Sequence, residues 1–385
     1  MILFVSYGGG HIAITTELYK YFTQNDVKVK ILPLTTGVEY CNQTGISDYL
    51  KLEDYKFLVN TDSEIENLVS KITRSVHTKG LGIPYEHTYM YHLIGISELI
   101  DSHGKEKGLK IFEREGRKAF LPISFASKFI DEVEAKAVIT TNVPRFEEAF
   151  QIASQSRKIK SFAIDDLIGK PLGEIKSDFV FVDNELAKKN LEKSGYSGEI
   201  VISGNPVFEK ARTLGKKIDN KNNDLLILLQ TGIKNMETNK IIEFGEEFYR
   251  KFFLKLELSG FCDAFDKIAV RFHPSMQKIK YWNSDRFYFD KNKDLYNSLK
   301  QYSNVLGFTS TSVYEAYLMG ANVYAFSFGN KYFELPFKYN HQIDFNANSS
   351  SWEHIAQVEK NESEFLPSKS IILKTISDEV LCNRK

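Results

Sequence analysis

Two adjacent aspartates, Asp165 and Asp166, close the apolar run Ser161–Ile164, and two histidines, His11 and His273, follow apolar runs elsewhere. Neighbouring carboxylates repel, which pushes one towards a pKa that suits a general base. His11 stands where Gly8-Gly9-Gly10 gives way to a helical pattern. Glycines let a ligand approach the backbone, and free N–H groups at a helix start attract anions. His273 belongs to Arg271-Phe272-His273-Pro274-Ser275, where proline ends a strand and aims an imidazole and a guanidinium, both suited to phosphate, out of the sheet edge. Thr309-Ser310-Thr311-Ser312 precedes another helical pattern, so its hydroxyls and backbone N–H groups can cradle a phosphate. Glu315 lies one turn further, where a carboxylate accepts hydrogen bonds from a ribose diol. Asp165 and Asp166 are thus the candidate bases, and His11 stands at a candidate anion-binding turn. Gly9, Gly10, Thr231, Gly232, Arg271, His273, Pro274, Thr309, Ser310, Thr311, Ser312 and Glu315 are the candidate nucleotide contacts.

Each stretch also has a plainer use. Gly8–His11 suits a tight strand-to-helix turn with His11 as a polar cap. Ser312 and Glu315 have the spacing of a capping box. Asp165-Asp166 suits the N-cap of a following helix, and a lone loop histidine such as His273 is often structural. The tyrosine-rich segment around Tyr85–Tyr91 can stack on acceptor sugar rings or pack in a core.

The elements that must position these groups follow one logic. Ile2–Ser6 is a continuous apolar run, as in a strand buried on both faces of a parallel sheet. A helix over Ile12–Phe22 and a strand over Val27–Leu32 complete a βαβ unit. After a mostly helical elaboration over about 36–127, strands are expected at Ala137–Thr141, Ser161–Ile164, Phe179–Val182 and Ile200–Ile202. The polar stretch 214–224 reads as a linker between domains at 1–213 and 225–385. Beyond it, strands at Leu225–Leu229, Ile268–Phe272, Asn304–Phe308 and Val323–Phe328 alternate with helices at Ile241–Leu258 and Val313–Met319. A weakly helical tail, Pro367–Val380, is expected to pack back on the first domain. The class is α/β with parallel sheets. In such sheets ligands bind beyond the carboxyl ends of the strands, where the groups above fall.

Composition narrows the function. At 385 residues the chain suits two hydrophobic cores. Lys plus Arg and Asp plus Glu balance at 50 each, which argues against a nucleic-acid partner. Cys41, Cys262 and Cys382 are odd in number and lack metal spacing, so reduced thiols and a cytoplasmic setting are expected. Asp166 and Glu174 could ligate a metal, but no DxD or HxxxH pattern supports a divalent site, so none is expected. The apolar start, Met1–Tyr7, is too brief for a signal peptide. No apolar run approaches the roughly 18 residues of a spanning helix, so membrane contact is at most peripheral.

Together these residues resemble the GT-B glycosyltransferase fold, in which two Rossmann-like domains with parallel sheets face each other across a cleft and the C-terminal one holds a sugar nucleotide. Three features, in order, are similar to the bacterial sialyltransferase-type branch. Asp165-Asp166 matches its paired acidic motif, whose carboxylate activates the acceptor. His273-Pro274 matches its donor-phosphate motif, and Ser310-Thr311 its phosphate-binding hydroxyls. That branch has glycine directly after the acidic pair, whereas Leu167-Ile168 intervene here before Gly169. Gly10-His11-Ile12 is similar to the start of UDP-sugar-dependent glycosyltransferases, in which that histidine is the base. Glu315-Ala316 ahead of Gly320 is similar to their ribose-binding motif, and Gly204-Asn205-Pro206 to a GT-B domain boundary. UDP-N-acetylglucosamine 2-epimerases share the fold, a His-Pro loop and a Ser-rich turn before Glu.

The resemblance implies an inverting, metal-independent glycosyltransferase for bacterial surface polysaccharide. It would move a sugar, a sialic-acid-like one among the candidates, from a CMP- or UDP-linked donor to a glycan or lipid-linked acceptor at the inner face of the cytoplasmic membrane. No cofactor beyond the nucleotide-sugar substrate is implied. The alternative is an epimerase or hydrolase of sugar nucleotides. A binding or scaffold protein that keeps the fold is the non-enzymatic reading.

Overall fold

The computed structural model describes residues 1–78, 82–141, 144–166, 168–170, 174–215, 222–238, 240–274, 276–292, 294–329, 331–337, 355, 357–359 and 366–380. Of the linker expected at 214–224, residues 216–221 lie outside this set, as do Gly80, Asn142, Leu167, Ser275 and Cys382. The chain divides into two compact units, Met1–Pro206 with Leu366–Lys385, and Val207–Phe365.

The first unit opens with β1 (Ile2–Ser6), α1 (Gly10–Gln24) and β2 (Val29–Pro33). The helical elaboration follows as α2 (Gly37–Gln43), α3 (Ser63–Val76), α4 (Tyr85–His103), α5 (Lys105–Glu115) and α6 (Ile123–Glu132). Alternation then resumes with β3 (Ala137–Thr140), α7 (Phe146–Ser156), β4 (Lys160–Ile164), β5 (Phe179–Val182), α8 (Glu185–Lys193) and β6 (Glu199–Ile202). Among the described residues the strands form one sheet in the order β2-β1-β3-β4-β5-β6, every neighbouring pair parallel. Leu3, Phe4 and Val5 are fully buried, as a central strand covered on both faces requires. Side-chain caps start α3 and α8: Asp62 accepts from the Ile65 N–H, and Asn184 from the Ala187 N–H. The elaboration shares a core with the sheet through Tyr91, Phe120, Phe129, Phe146 and Phe150.

The second unit contains α9 (Pro206–Gly215), β7 (Leu225–Leu228), β8 (Gly232–Lys234), β9 (Ile241–Glu243), α10 (Glu246–Leu258), β10 (Ile268–Arg271), β11 (Phe287–Phe289), α11 (Leu295–Leu299), β12 (Asn304–Gly307), α12 (Thr311–Leu318) and β13 (Asn322–Ala325). Its parallel sheet runs β11-β10-β7-β12-β13, over a core rich in phenylalanine around Phe252, Phe253 and Phe308. The long helix expected at Ile241–Leu258 is not continuous. Ile241 and Ile242 pair in an antiparallel hairpin with β8, and the helix starts only after Gly245. The tail is α13 (Ser368–Val380), which belongs to the first unit and packs on α1 with Ile372 and Ile376 buried.

Both sheets have a place where the strand order reverses. In the first unit the chain passes from β2 over β1 to β3, and in the second it returns from β11 to β12 on the far side of β7. Such switch points open a crevice at the carboxyl ends of the flanking strands. The turns after β1 and β3, and after β7 and β12, therefore deserve the chemistry. No helix among the described residues is long and apolar enough to cross a membrane.

Candidate functional site

In the first unit the switch-point turns carry a linked set of side chains. His11, in the first turn of α1, places Nδ1 2.9 Å from Asp166 Oδ2 beyond β4 and 3.1 Å from Thr141 Oγ1 beyond β3. Thr141 donates its hydroxyl proton to Glu147 Oε2 at 2.6 Å. Towards His11, Thr141 therefore offers only a lone pair, and Asp166 presents a carboxylate oxygen. Nδ1 must then carry the proton, and Nε2 is the nitrogen left for chemistry. Burial alone would pull the His11 pKa down. The Asp166 carboxylate, helped by Glu147, outweighs that and raises it to about 9, against a smaller opposing effect of Arg145.

Glu147 is fully buried and spends its carboxylate on three donors: the Tyr7 N–H at 2.9 Å, the Thr141 N–H at 2.8 Å and the Thr141 hydroxyl. It thus ties the end of β1 to the end of β3 and orients the group that contacts His11. Arg145, which caps α7 with φ 81, holds its guanidinium 4.6 Å from the Tyr7 ring centre. Sequence reasoning missed both residues. The available signal was two acidic residues in the first turn of the helix after Pro144, directly downstream of a strand end.

The paired aspartates separate in role. Asp165 is 2% exposed; its carboxylate accepts the Gly169 N–H at 2.6 Å and its carbonyl accepts from Asn205. It holds the turn after β4, while Asp166 meets His11. Gly9, at φ 76, takes a conformation that other residues rarely adopt, and Gly10 borders open space. Glu174, weighed as a metal ligand, pairs instead with Lys176 at 2.5 Å. Tyr91 is not an acceptor platform: it is 2% exposed, stacks on Phe146 at 4.5 Å and bonds its hydroxyl to that of Tyr7.

In the second unit Gln230, after β7, bridges to Thr309, after β12. Its Oε1 accepts the Thr309 N–H at 3.0 Å and its Nε2 donates to Thr309 Oγ1 at 3.1 Å. Thr309 is thereby an internal strut. Ser310, Thr311 and Ser312 remain half-buried at the start of α12, with Ser310 as its N-cap. The Ser312–Glu315 capping box is not formed, because the helix begins two residues earlier than that box requires. Glu315 instead sits within the helix, buried, and burial raises its pKa to about 7 against the Tyr296 hydrogen bond and the nearby Lys210 charge. Thr231 is exposed, and Gly232 opens β8 so close to its partner strand that a Cβ would lie 2.4 Å from the Ile242 carbonyl.

His273 and Pro274 are exposed beyond β10, and neighbouring protein lowers the imidazole pKa from its ordinary value by desolvation. Arg271 is the last residue of β10. Its Nη1 bonds Asp290 Oδ2 at 2.7 Å, the Asn292 carbonyl at 2.8 Å and Ser298 Oγ at 3.0 Å. One nitrogen of the guanidinium expected to contact phosphate is thus committed to a buried carboxylate, which also accepts from Ser298 and Asn292.

No protein-family model matches the chain, and no curated protein does. Solved structures do resemble it. The S. aureus MnaA–UDP co-structure is 10% identical with a TM-score of 0.56, covering 100% of this chain and 98% of that one. UDP-GlcNAc 2-epimerase from Methanocaldococcus jannaschii is 10% identical with a TM-score of 0.54, covering 98% and 99%. MurG from Acinetobacter baumannii is 11% identical with a TM-score of 0.42, covering 91% and 81%. At such identities the first two likenesses establish the fold: two Rossmann-like α/β units of the GT-B type.

Proposed function

We propose that the chain is a nucleotide-sugar glycosyltransferase that works with inversion, with His11 as the base and Asp166 as the carboxylate that orients it. The observation carrying this reading is the His11 contact pair. Nδ1 faces only acceptors, so Nε2 is the atom able to take a proton from an acceptor hydroxyl. The acceptor oxygen then forms a bond to the anomeric carbon as the bond to the donor phosphate breaks, and the nucleotide leaves with the electron pair. The second unit, taken by itself, offers Ser310, Thr311 and Ser312 at the α12 start as donors suited to phosphate and Glu315 as an acceptor suited to a ribose. The names of the two most relevant similar structures, which refer to UDP and UDP-GlcNAc, support a UDP-linked donor. The commitment of Asp165 to Gly169 and of Asp166 to His11 favours the UDP-sugar comparison over the sialyltransferase-type one, where a carboxylate is itself the base.

A second reading has one specific support. A histidine with a pKa of about 9 is protonated at neutral pH and suits a general acid, as an epimerase or hydrolase of sugar nucleotides could use. Incubating the purified chain with UDP- and CMP-sugars, with and without an acceptor-glycan panel, separates the two. The transferase reading expects nucleotide release only when acceptor is present. Stoichiometric release or epimerised sugar without acceptor would overturn it.

A further inference from the structure

We propose that Arg145 reads an anionic substituent, a carboxylate or a phosphate, on the molecule whose hydroxyl reacts at His11; this deepens the transferase reading and rests on it. Three observations converge on the guanidinium. First, it lies 4.6 Å from the Tyr7 ring centre, an arrangement that leaves the in-plane N–H edges of an arginine available. Second, that ring is a fixed platform. The Tyr7 N–H is held by Glu147 at 2.9 Å, and its hydroxyl bonds Tyr91 at 2.9 Å and accepts the Phe146 N–H at 3.4 Å. Third, among the described residues no ion pair joins a carboxylate to the Arg145 guanidinium, although Glu147 and Glu148 lie two and three residues on. Glu147 is consumed by Tyr7 and Thr141, and Glu148 accepts the Arg145 backbone N–H.

The backbone adds a fourth point. Arg145 takes φ 81 and ψ −117 at the α7 N-cap, where glycine or asparagine would be less strained. The fold thus sets a long cationic side chain in an unfavourable backbone position, on an aromatic platform, near enough for its charge to act on His11. A guanidinium so placed matches carboxylate or phosphate in bidentate fashion, and a neutral sugar hydroxyl much less well. The substrate class assigned is therefore an acidic sugar or a sugar phosphate.

The test is binding, with no donor and no turnover. Glucuronate, glucose 1-phosphate and glucose are titrated into the full chain, read by the His11 ring signal in NMR. Both acidic probes should shift that signal and glucose should not. Arg145→Met keeps the stem on Tyr7 and should weaken the acidic probes at least about tenfold. Arg145→Lys keeps a charge without the planar fork and should lose several-fold; it decides the matter if the methionine variant does not fold. Equal binding of glucose and the acidic probes, or unchanged binding by the variants, would overturn the proposal. A preference for one acidic probe names the source of the anion. Selective acidic binding in a chain that releases nucleotide without acceptor would sink the transferase reading alone, so the two failures are distinguishable.

Discussion

His11 Nδ1 stands 2.9 Å from Asp166 Oδ2, joining the turn after β1 to the turn after β4 at the switch point of the first sheet. The pair fixes which nitrogen of the ring is protonated, and with it which nitrogen can work.

Asp166 is the main reason the His11 pKa is raised against burial. A raised histidine contributes stability that is complete below its unfolded pKa near 6.5 and is lost as pH climbs through about 9. Stability of the first unit should fall across that window by about 3 kcal/mol. Asp166→Asn should lower the His11 pKa, followed by NMR, by about one to three units and flatten that slope. An unchanged titration would show that the contact does not set the charge.

Thr141 acts on His11 through its hydroxyl. Thr141→Val removes the Nδ1 contact and leaves the buried Glu147 one donor short, a loss of about 1–3 kcal/mol by denaturant unfolding. Thr141→Ser should restore most of it, together with the His11 titration. A valine variant that matches the parent in both readouts would remove Thr141 from the account.

Glu315 has the opposite sign from an ordinary paired carboxylate. Folding raises its pKa from 4.5 to about 7, so ionisation costs stability as pH rises through that interval. Glu315→Gln should stabilise the second unit by about 1–3 kcal/mol at pH 8. It should also weaken UDP binding about tenfold while leaving a 2′,3′-dideoxy analogue unaffected. Equal losses for both nucleotides would remove the ribose role.

Arg271 and Asp290 form a structural pair, with side chains only 16% and 1% exposed. Arg271→Met leaves Asp290 buried and uncompensated, which should cost about 3 kcal/mol or more of unfolding free energy. UDP affinity of the folded fraction should barely change. A variant of normal stability that has lost UDP binding would return Arg271 to the phosphate site.

Much of this was legible in the sequence. Apolar runs such as Ile2–Ser6 and Leu225–Leu228 announce strands buried on both faces, and the residues that follow them line the switch-point turns. The pairing of His11 with Asp166 was not legible, because it depends on β4 lying two strands from β1. Nor was the division of labour between Asp165 and Asp166: side chains at successive positions near a strand end diverge, so one closes the turn and the other reaches His11. The hairpin of β8 and β9 escaped because three-residue strands carry too little periodicity, and Ile241-Ile242 reads equally well as the start of a helix. The Arg271–Asp290 pair was not legible either, because a strand-end arginine looks the same whether it faces a ligand or an aspartate just beyond the neighbouring strand.

The most direct test of the His11–Asp166 assignment is the pH dependence of kcat/KM for acceptor-dependent nucleotide release. With His11 as the base, the rate should rise with pH and level off above about 9, and Asp166→Asn should move that limb to lower pH while reducing the plateau. A profile that falls through the same region, or one that Asp166→Asn leaves in place, would contradict the assignment.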